Sequence, residues 1–162
     1  KVNSIIPTGG VPTGGGGGII QVKQTLKNDT ASSTTSGSFT DITGLSVSIT
    51  PISSSSKILV FVALGSISHN LGSVGFRLLR GSTQVGGSSS TSLQSGFTNI
   101  FADEEIIMSA SHCFLDSPAT TSATTYKLQW RNSGGTVYLG RYFDDATQYN
   151  GASTITAMEV SA

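Results

Sequence analysis

Apolar and polar residues alternate in short runs along most of this chain, with the two-residue period of a β-strand. The clearest run is residues 124–132, in which Tyr126, Leu128 and Trp130 share one face and polar side chains share the other. We predict about ten short strands at roughly ten-residue spacing, with no amphipathic helix between them. The predicted strands are residues 19–26, 39–42, 45–49, 57–68, 75–80, 83–85, 106–115, 124–132, 136–143 and 153–160.

Residues 58–64, with the sequence ILVFVAL, form the longest apolar run. In a strand, Val60 and Val62 lie on one face and Phe61 lies on the other. A strand that is apolar on both faces is typically covered on both, so we expect an opposing sheet on one side and sister subunits on the other. The predicted core includes Val60, Val62, Leu128 and Trp130.

The spacing of the strands predicts an all-β protein, built as an antiparallel β-sandwich or jelly roll. Parallel strands would need helical connections of about a dozen residues. The Ser-, Thr- and Gly-rich loops, such as residues 28–38 and 86–92, do not have that composition. Sheet edges with so few charges would also favour association with sister chains.

Residues 1–18 differ from the rest, because PTGG occurs twice and is followed by a run of glycines. Such a segment has too few side chains to form a core, and its prolines favour extended geometry. We predict a Gly/Pro-rich extended stalk or linker arm over residues 1–18 and a head domain over residues 19–162. Two interpretations stay open: a mobile linker, or an arm packed closely against copies of itself.

Composition limits the classes of partner. The chain has 162 residues, of which 11% are charged, and a formal net charge of zero. Nucleic-acid binding is disfavoured because there is no basic patch, and membrane insertion is not expected because no apolar run approaches about 20 residues. The single cysteine, Cys113, excludes an internal disulfide, and its apolar surroundings predict that it is buried.

The sequence contains no motif for catalysis or for metal binding. No nucleophile elbow accompanies His69 or His112, which we interpret as a loop residue and a strand residue. Neither an HExxH motif nor an EF-hand loop occurs, and the adjacent Asp144 and Asp145 fit a solvated turn better than a calcium site. We predict that the protein is not an enzyme and needs no cofactor; a polysaccharide depolymerase with paired carboxylates is the catalytic alternative.

Aromatic residues crowd the last third of the chain. Residues 143–150, FDDATQYN, combine aromatic rings with acids and amides. This combination is typical of surfaces that bind sugars, where rings stack on C–H groups and polar side chains bond hydroxyls. The alternative is a core or subunit interface, to which we assign Tyr138. The candidate receptor-binding residues are Tyr142, Phe143, Asp144, Asp145, Tyr149 and Asn150.

Five stretches occur in a familiar order: IIQVKQTLKNDT, FTDITGLSVSITPISSSSKILV, FRLLRGST, FLDSPATTSATTYKLQWR and ASTITAMEV. From Ile19 onward the chain resembles the C-terminal domains of bacteriophage tail-fibre-like proteins, particularly those of marine and freshwater cyanophages. The resemblance implies a virion structural protein, made in the host bacterial cytoplasm, with a role in host attachment. It further implies a homotrimer whose jelly-roll head is similar to the tumour-necrosis-factor and C1q heads.

The resemblance leaves the position on the particle open among tail fibre, head fibre and capsid decoration. As a fibre tip, the head would bind a glycan or protein of the bacterial surface. As a decoration or shaft protein, it would bind other virion proteins through its N-terminal segment. The candidate anchoring residues of that segment are Pro7, Pro12, Gly14, Gly15 and Gly16.

Overall fold

The structure, a computed structural model, describes residues 18–34, 37–69, 71–88, 96–102 and 105–162. These ranges contain eleven strands and no helix, and therefore no helix with the length and apolarity of a membrane span. The strands are β1 (Ile19–Lys27), β2 (Ala31–Ser33), β3 (Thr40–Ile49), β4 (Lys57–His69), β5 (Gly72–Arg80), β6 (Thr83–Val85), β7 (Thr98–Ala102), β8 (Ile106–Asp116), β9 (Thr124–Asn132), β10 (Val137–Leu139) and β11 (Ser153–Val160). The predicted stalk lies outside the described residues except for Gly18, and so do the anchoring candidates Pro7, Pro12, Gly14, Gly15 and Gly16.

The strands form two sheets in which all pairings are antiparallel. The six-stranded sheet has the order β1-β11-β4-β10-β2, with β8 also paired to β4. The five-stranded sheet has the order β3-β9-β5-β6, with β7 also paired to β5. The two sheets pack face to face as a sandwich, so the prediction of an all-β antiparallel fold is confirmed.

The alternation of apolar side chains decides which faces of the sheets meet. In β9 every second residue is buried, and the buried positions of β4 alternate with less buried ones over most of its length. Val60, Val62 and Leu128 are fully buried, and Trp130 is 3% exposed. Each such side chain is stabilising by about 1.5–3 kcal/mol relative to its exposed state. One apolar core therefore fills the space between the sheets.

Several strands differ from the prediction. The short strand β2 lies within the segment predicted as a polar loop, and β7 is missing from the prediction. The two predicted strands at 39–42 and 45–49 are the single strand β3, whose register shifts between Asp41 and Ser46 around Gly44, with φ at +85°. Only residues 137–139 of the predicted strand 136–143 pair. Short strands such as β2 and β10 have only three residues, too few for the alternation of apolar and polar side chains to identify them.

Two side-chain environments also differ from the prediction. Cys113 is exposed, because its neighbours His112 and Phe114 take the inward positions of β8 and leave Cys113 on the outer face. His69 is the last residue of β4 and fully buried, with Nε2 lying 3.1 Å from the carbonyl oxygen of Gly134. It is therefore a strand residue, like His112.

A partly buried ionic contact joins the two sheets. Asp116 ends β8, and each of its carboxylate oxygens accepts a hydrogen bond of 2.9 Å from Arg80 Nη1. Tyr126 Oη donates to the same carboxylate at 2.6 Å. Burial, followed by this hydrogen bond, raises the pKa of Tyr126, so its hydroxyl stays a donor. Because Arg80 and Tyr126 belong to β5 and β9, the contact fixes one sheet against the other.

Glu159 of β11 is a fully buried carboxylate that bonds strand β1 and the loop between β3 and β4. Oε1 accepts from the Ile52 backbone N–H at 2.7 Å, and Oε2 accepts from Gln21 Nε2 at 3.0 Å. Burial alone would raise the pKa of Glu159, but hydrogen bonds from Ser56, Ile52, Gln21 and Ser53 outweigh it and hold this pKa below its usual 4.5. The ionised carboxylate therefore ties β1 and the β3–β4 loop to β11.

We expect Trp130→Ala to lower the free energy of unfolding by about 3–5 kcal/mol, because it leaves a cavity in the core. Chemical denaturation measures the loss. Phe101→Ala is the matched control, since Phe101 is 69% exposed and its removal should change stability by no more than about 0.5 kcal/mol. A loss below about 1 kcal/mol at Trp130 would contradict this packing.

Glu159 predicts a specific dependence of stability on pH. A pKa that is lower in the folded state stabilises the protein above the unfolded pKa, and that contribution disappears as the pH falls through the folded value. The unfolding temperature of wild type should therefore exceed that of Glu159→Gln at neutral pH, and the difference should shrink below pH 4.5. The other carboxylates titrate in both proteins, so parallel pH profiles would contradict this role of Glu159.

Candidate functional site

The segment between β10 and β11 contains all six candidate receptor-binding residues, and both of its ends are fixed to an irregularity in β4. Ser66 has φ at +48° and lies where the pairing of β4 with β8 shifts register. The backbone N–H of Gly140 donates to the Ser66 carbonyl at 3.0 Å. At the other end Gly151 lies so close to Ser66 that a side chain at 151 would collide with it. The strand irregularity thus sets the exit and entry points of the segment.

Three rings of the segment form one aromatic cluster. The ring centroid of Tyr142 lies 4.6 Å from that of Phe143 and 5.6 Å from that of Tyr149, with edge-to-face geometry in both pairs. This is a preferred arrangement of aromatic rings and adds about 0.5–1.5 kcal/mol to each contact. Tyr149 is 63% exposed, while Tyr142 and Phe143 are half-buried. The cluster therefore exposes the Tyr149 ring to solvent, while Tyr142 and Phe143 pack beneath it.

The polar residues of the segment divide into supporting and exposed groups. Asp145 Oδ1 accepts from the Thr147 N–H and hydroxyl at 2.7 Å each, and Oδ2 accepts from Gln148 Nε2 at 2.8 Å. These bonds, with those of Thr147 first, lower the pKa of Asp145. Asp145 therefore stabilises the turn over residues 145–148. The Asn150 amide donates to the carbonyls of Ala146 at 3.2 Å and Gly140 at 3.0 Å, so it also supports the turn. Asp144 is exposed and is the polar group placed to meet a ligand.

Residues outside the predicted set also position the cluster. The Tyr142 hydroxyl donates to Glu105 Oε2 at 3.2 Å, and burial followed by this bond raises the pKa of Tyr142. The Arg141 guanidinium lies 4.7 Å from the centre of the Tyr138 ring and donates to the carbonyls of Tyr142 and Phe143. The sequence offered no signal for Glu105, which is distant along the chain. Tyr138 is half-buried and contacts Arg141 as a support.

A second surface, on the outer face of the six-stranded sheet, is more apolar than a solvent-facing sheet normally is. Its residues form three rows across β1, β11, β4 and β8. The first row holds Val22, Met158, Leu59 and Leu115; the second holds Gln24, Thr156, Phe61 and Cys113; the third holds Leu26, Thr154, Ala63 and Ser111. Val22 is 56% exposed, Leu26 58%, Leu115 47% and Phe61 40%. We call these three rows the apolar face.

Strand β1 points its apolar side chains outward because its other side is committed to polar contacts. Gln21 donates to Glu159, and the Thr25 hydroxyl donates to the Ser46 carbonyl at 2.7 Å. Lys27 is buried and bonds Asp29 at 2.9 Å. These bonds fix the register of β1, and a shift of one residue would exchange its two faces. The alternation of β1 was evident in the sequence, but which of its faces turns inward was not.

Neither histidine lies in an arrangement that resembles a catalytic site. His112 stacks between Phe97, at 4.5 Å between ring centroids, and Phe114, at 6.5 Å. Burial lowers the pKa of His112, which keeps the ring neutral. In the part of the chain that the structure describes, no three His, Cys, Asp or Glu side chains come together as a metal-binding group.

No protein-family model matches the chain, and no curated protein matches it.

Proposed function

We propose that this chain is the head domain of a homotrimeric bacteriophage fibre protein, which attaches the virion to a glycan or protein of the bacterial surface. The observation that carries the proposal is the apolar face. A sheet that exposes Val22, Leu26, Phe61 and Leu115 together has the apolar surface of a protein–protein contact. The resemblance to phage fibre domains supports three copies and a place on the virion.

The chemistry of the apolar face favours copies of the same chain as its partner. None of the side chains in its three rows carries a formal charge at neutral pH. Charged residues are depleted at the core of subunit interfaces, and an uncharged face agrees with that composition. Phe61 lies in the middle row of this face, and Val22, Leu26 and Leu115 extend the exposed apolar surface onto β1 and β8. Uncharged polar side chains lie between them, as in many subunit interfaces.

The aromatic cluster supports attachment as the role of the assembled head. The segment runs from the end of β10 to the start of β11 and so lies at one end of the apolar face, outside its three rows. An exposed ring beside carboxylate and amide groups is suited to sugar hydroxyls and C–H faces. Three copies on one head would turn weak individual sites into firm attachment through avidity.

The alternative function is structural, as a capsid decoration or fibre-shaft protein bound to other virion proteins. It would use the N-terminal segment, whose composition suits an arm as well as a stalk. This alternative shares the apolar face with the first proposal, so the aromatic cluster is the feature that distinguishes the two.

We expect Phe61→Asp to convert a trimer into monomers, because three copies of the new carboxylate would be buried near one another. Light scattering with size-exclusion chromatography measures the mass. Phe101→Asp is the matched control, since it places the same charge on an exposed ring of the other sheet and should leave the trimer intact. Wild type that elutes as a monomer, or a Phe61→Asp variant that remains trimeric, would contradict this interface.

We expect Tyr149→Ala to lower the affinity of the head for host cells by about tenfold or more, because a stacked aromatic ring contributes about 0.5–1.5 kcal/mol per site and the trimer multiplies the loss. Competition between purified protein and intact phage for adsorption measures it. Phe101→Ala, which removes an exposed ring elsewhere, should compete like wild type. A folded trimer that neither binds cells nor slows adsorption would favour the structural alternative.

A further inference from the structure

The outer face of the five-stranded sheet carries an excess of positive charge. Arg77 of β5 and Lys127 and Arg131 of β9 are half-buried on this face, and Asp41 of β3 is the only carboxylate in the five strands. Three cations and one carboxylate leave this face with a formal charge of +2. These residues are too far apart along the chain for the sequence to show them as a basic patch. We call Arg77, Lys127 and Arg131 the basic face.

Contacts within the sheet account for two of the three cations. Lys127 Nζ donates to Asp41 Oδ2 at 2.8 Å, which pairs the two charges. Arg77 Nε donates to Gln129 Oε1 at 2.8 Å, and the Arg77 guanidinium lies 4.3 Å from the centre of the Phe39 ring. These contacts hold Arg77 in one orientation, but they give it no carboxylate at ion-pair distance in the described part of the chain.

Arg131 is the cation that the fold leaves without a partner. Its side chain forms no hydrogen bond, ion pair or ring contact with the residues that the structure describes. Its Nε is buried without an acceptor, while the residue as a whole is only half-buried, so its terminal nitrogens reach solvent. Buried polar groups are nearly always paired, because an unpaired one opposes folding. An acceptor from outside the chain would therefore complete the surroundings of Arg131.

The pairing register places Arg131 beside Arg77. Arg131 lies opposite Gly75 of β5, and Arg77 follows Gly75 by two residues on the same face of the strand. Diagonal neighbours in an antiparallel pair are about 7–8 Å apart, which is within reach of long side chains. Gly75 adds no side chain between them. Two guanidinium groups at this spacing repel each other, and one bound anion would compensate both.

The geometry of the basic face selects the class of ligand. A guanidinium presents parallel N–H groups that match a carboxylate, a sulfate or a phosphate. Both β9 and β5 are paired on their two sides, so neither offers a free edge to an extended peptide. Three cations are few for a nucleic acid, which is bound through many phosphate contacts. A polysaccharide with spaced anionic groups needs only such isolated charges, and it fits this face.

We propose that Arg131, with Arg77 beside it, binds an anionic group of a polysaccharide, whose carboxylate, sulfate or phosphate oxygens accept hydrogen bonds from the terminal nitrogens of Arg131. The inference deepens the attachment function proposed above and rests on it for the source of the polysaccharide, which would be the host surface. The basic face lies on the opposite side of the sandwich from the apolar face, because the two are the outer faces of different sheets.

The test is a calorimetric titration of the full chain with oligogalacturonate, dextran sulfate and polyphosphate, with uncharged dextran as the comparison. The first three probes present a carboxylate, a sulfate and a phosphate, so they distinguish the sources of the anionic group. We expect at least one of them to bind more tightly than dextran. Its affinity should fall as sodium chloride is added, because salt screens exposed charges. An affinity that salt does not change would contradict an ionic contact.

Substitution of Arg131 locates the binding. Arg131→Gln should weaken the affinity for the bound probe about tenfold or more, because charge-assisted hydrogen bonds are lost. Arg131→Lys keeps the charge but not the parallel N–H groups, so it should recover only part of the affinity. Lys23→Gln is the matched control, since it removes one exposed positive charge from β1 of the other sheet and should bind like wild type.

The unfolding temperature separates a binding role of Arg131 from a structural one. Because Arg131 has no partner among the described residues, Arg131→Gln should leave the unfolding temperature unchanged or raise it. Arg77→Gln should lower it, since Arg77 contacts Gln129 and the Phe39 ring. A fall for Arg131→Gln as large as that for Arg77→Gln would assign Arg131 to the fold and overturn the inference.

The outcomes distinguish this inference from the proposed function. If no anionic probe binds more tightly than dextran, the inference is overturned even where the head still blocks phage adsorption. It is also overturned if binding survives Arg131→Gln, or if Lys23→Gln weakens it equally. If an anionic probe binds through Arg131 but the head never adsorbs to cells, the anion site stands and the attachment function fails. If neither the anionic probes nor the cells are bound, both are wrong.

Discussion

Strand β4 is apolar on both faces, and covering those faces is the constraint on which the rest of the structure depends. Val60 and Val62 face the core, where the five-stranded sheet covers them. Phe61, on the other face, stays partly exposed, and β1, β11 and β8 extend its surroundings into the apolar face. Apolar surface of this extent is stable in water mainly when another surface covers it. The fold of one chain thus covers one face of β4 and leaves the other face partly exposed.

The chain uses its few charged residues in a selective way. Asp116 joins the two sheets, Glu159 fastens β1 and a loop to β11, and Asp41 links β3 to β9. Each carboxylate accepts several hydrogen bonds, and for the buried Asp116 and Glu159 an unpaired charge would be costly. Ser and Thr supply most of the remaining polar surface without charge, so an uncharged interface is consistent with the same composition.

The two candidate binding sites differ in their strand pairing. The aromatic cluster is anchored at the register shift of β4 around Ser66, whereas Arg77 and Arg131 lie on regularly paired strands. Irregular pairing redirects side chains, while regular strands hold side chains at a constant spacing. The sequence could identify FDDATQYN as a cluster of recognition residues, because its members are adjacent. Arg77 and Arg131 are far apart along the chain and had no local signal.

By itself, the sequence determined the fold class, the inward faces of β4 and β9, and the burial of Trp130, because a two-residue alternation acts locally and leaves few choices for a strand. Only the tertiary structure decided that β1 turns its apolar side outward, that Cys113 is exposed, and that Arg131 lies beside Arg77. These features depend on register and on partners distant in the chain. A register is fixed by backbone pairing and by contacts such as those of Glu159, which no single stretch of residues encodes.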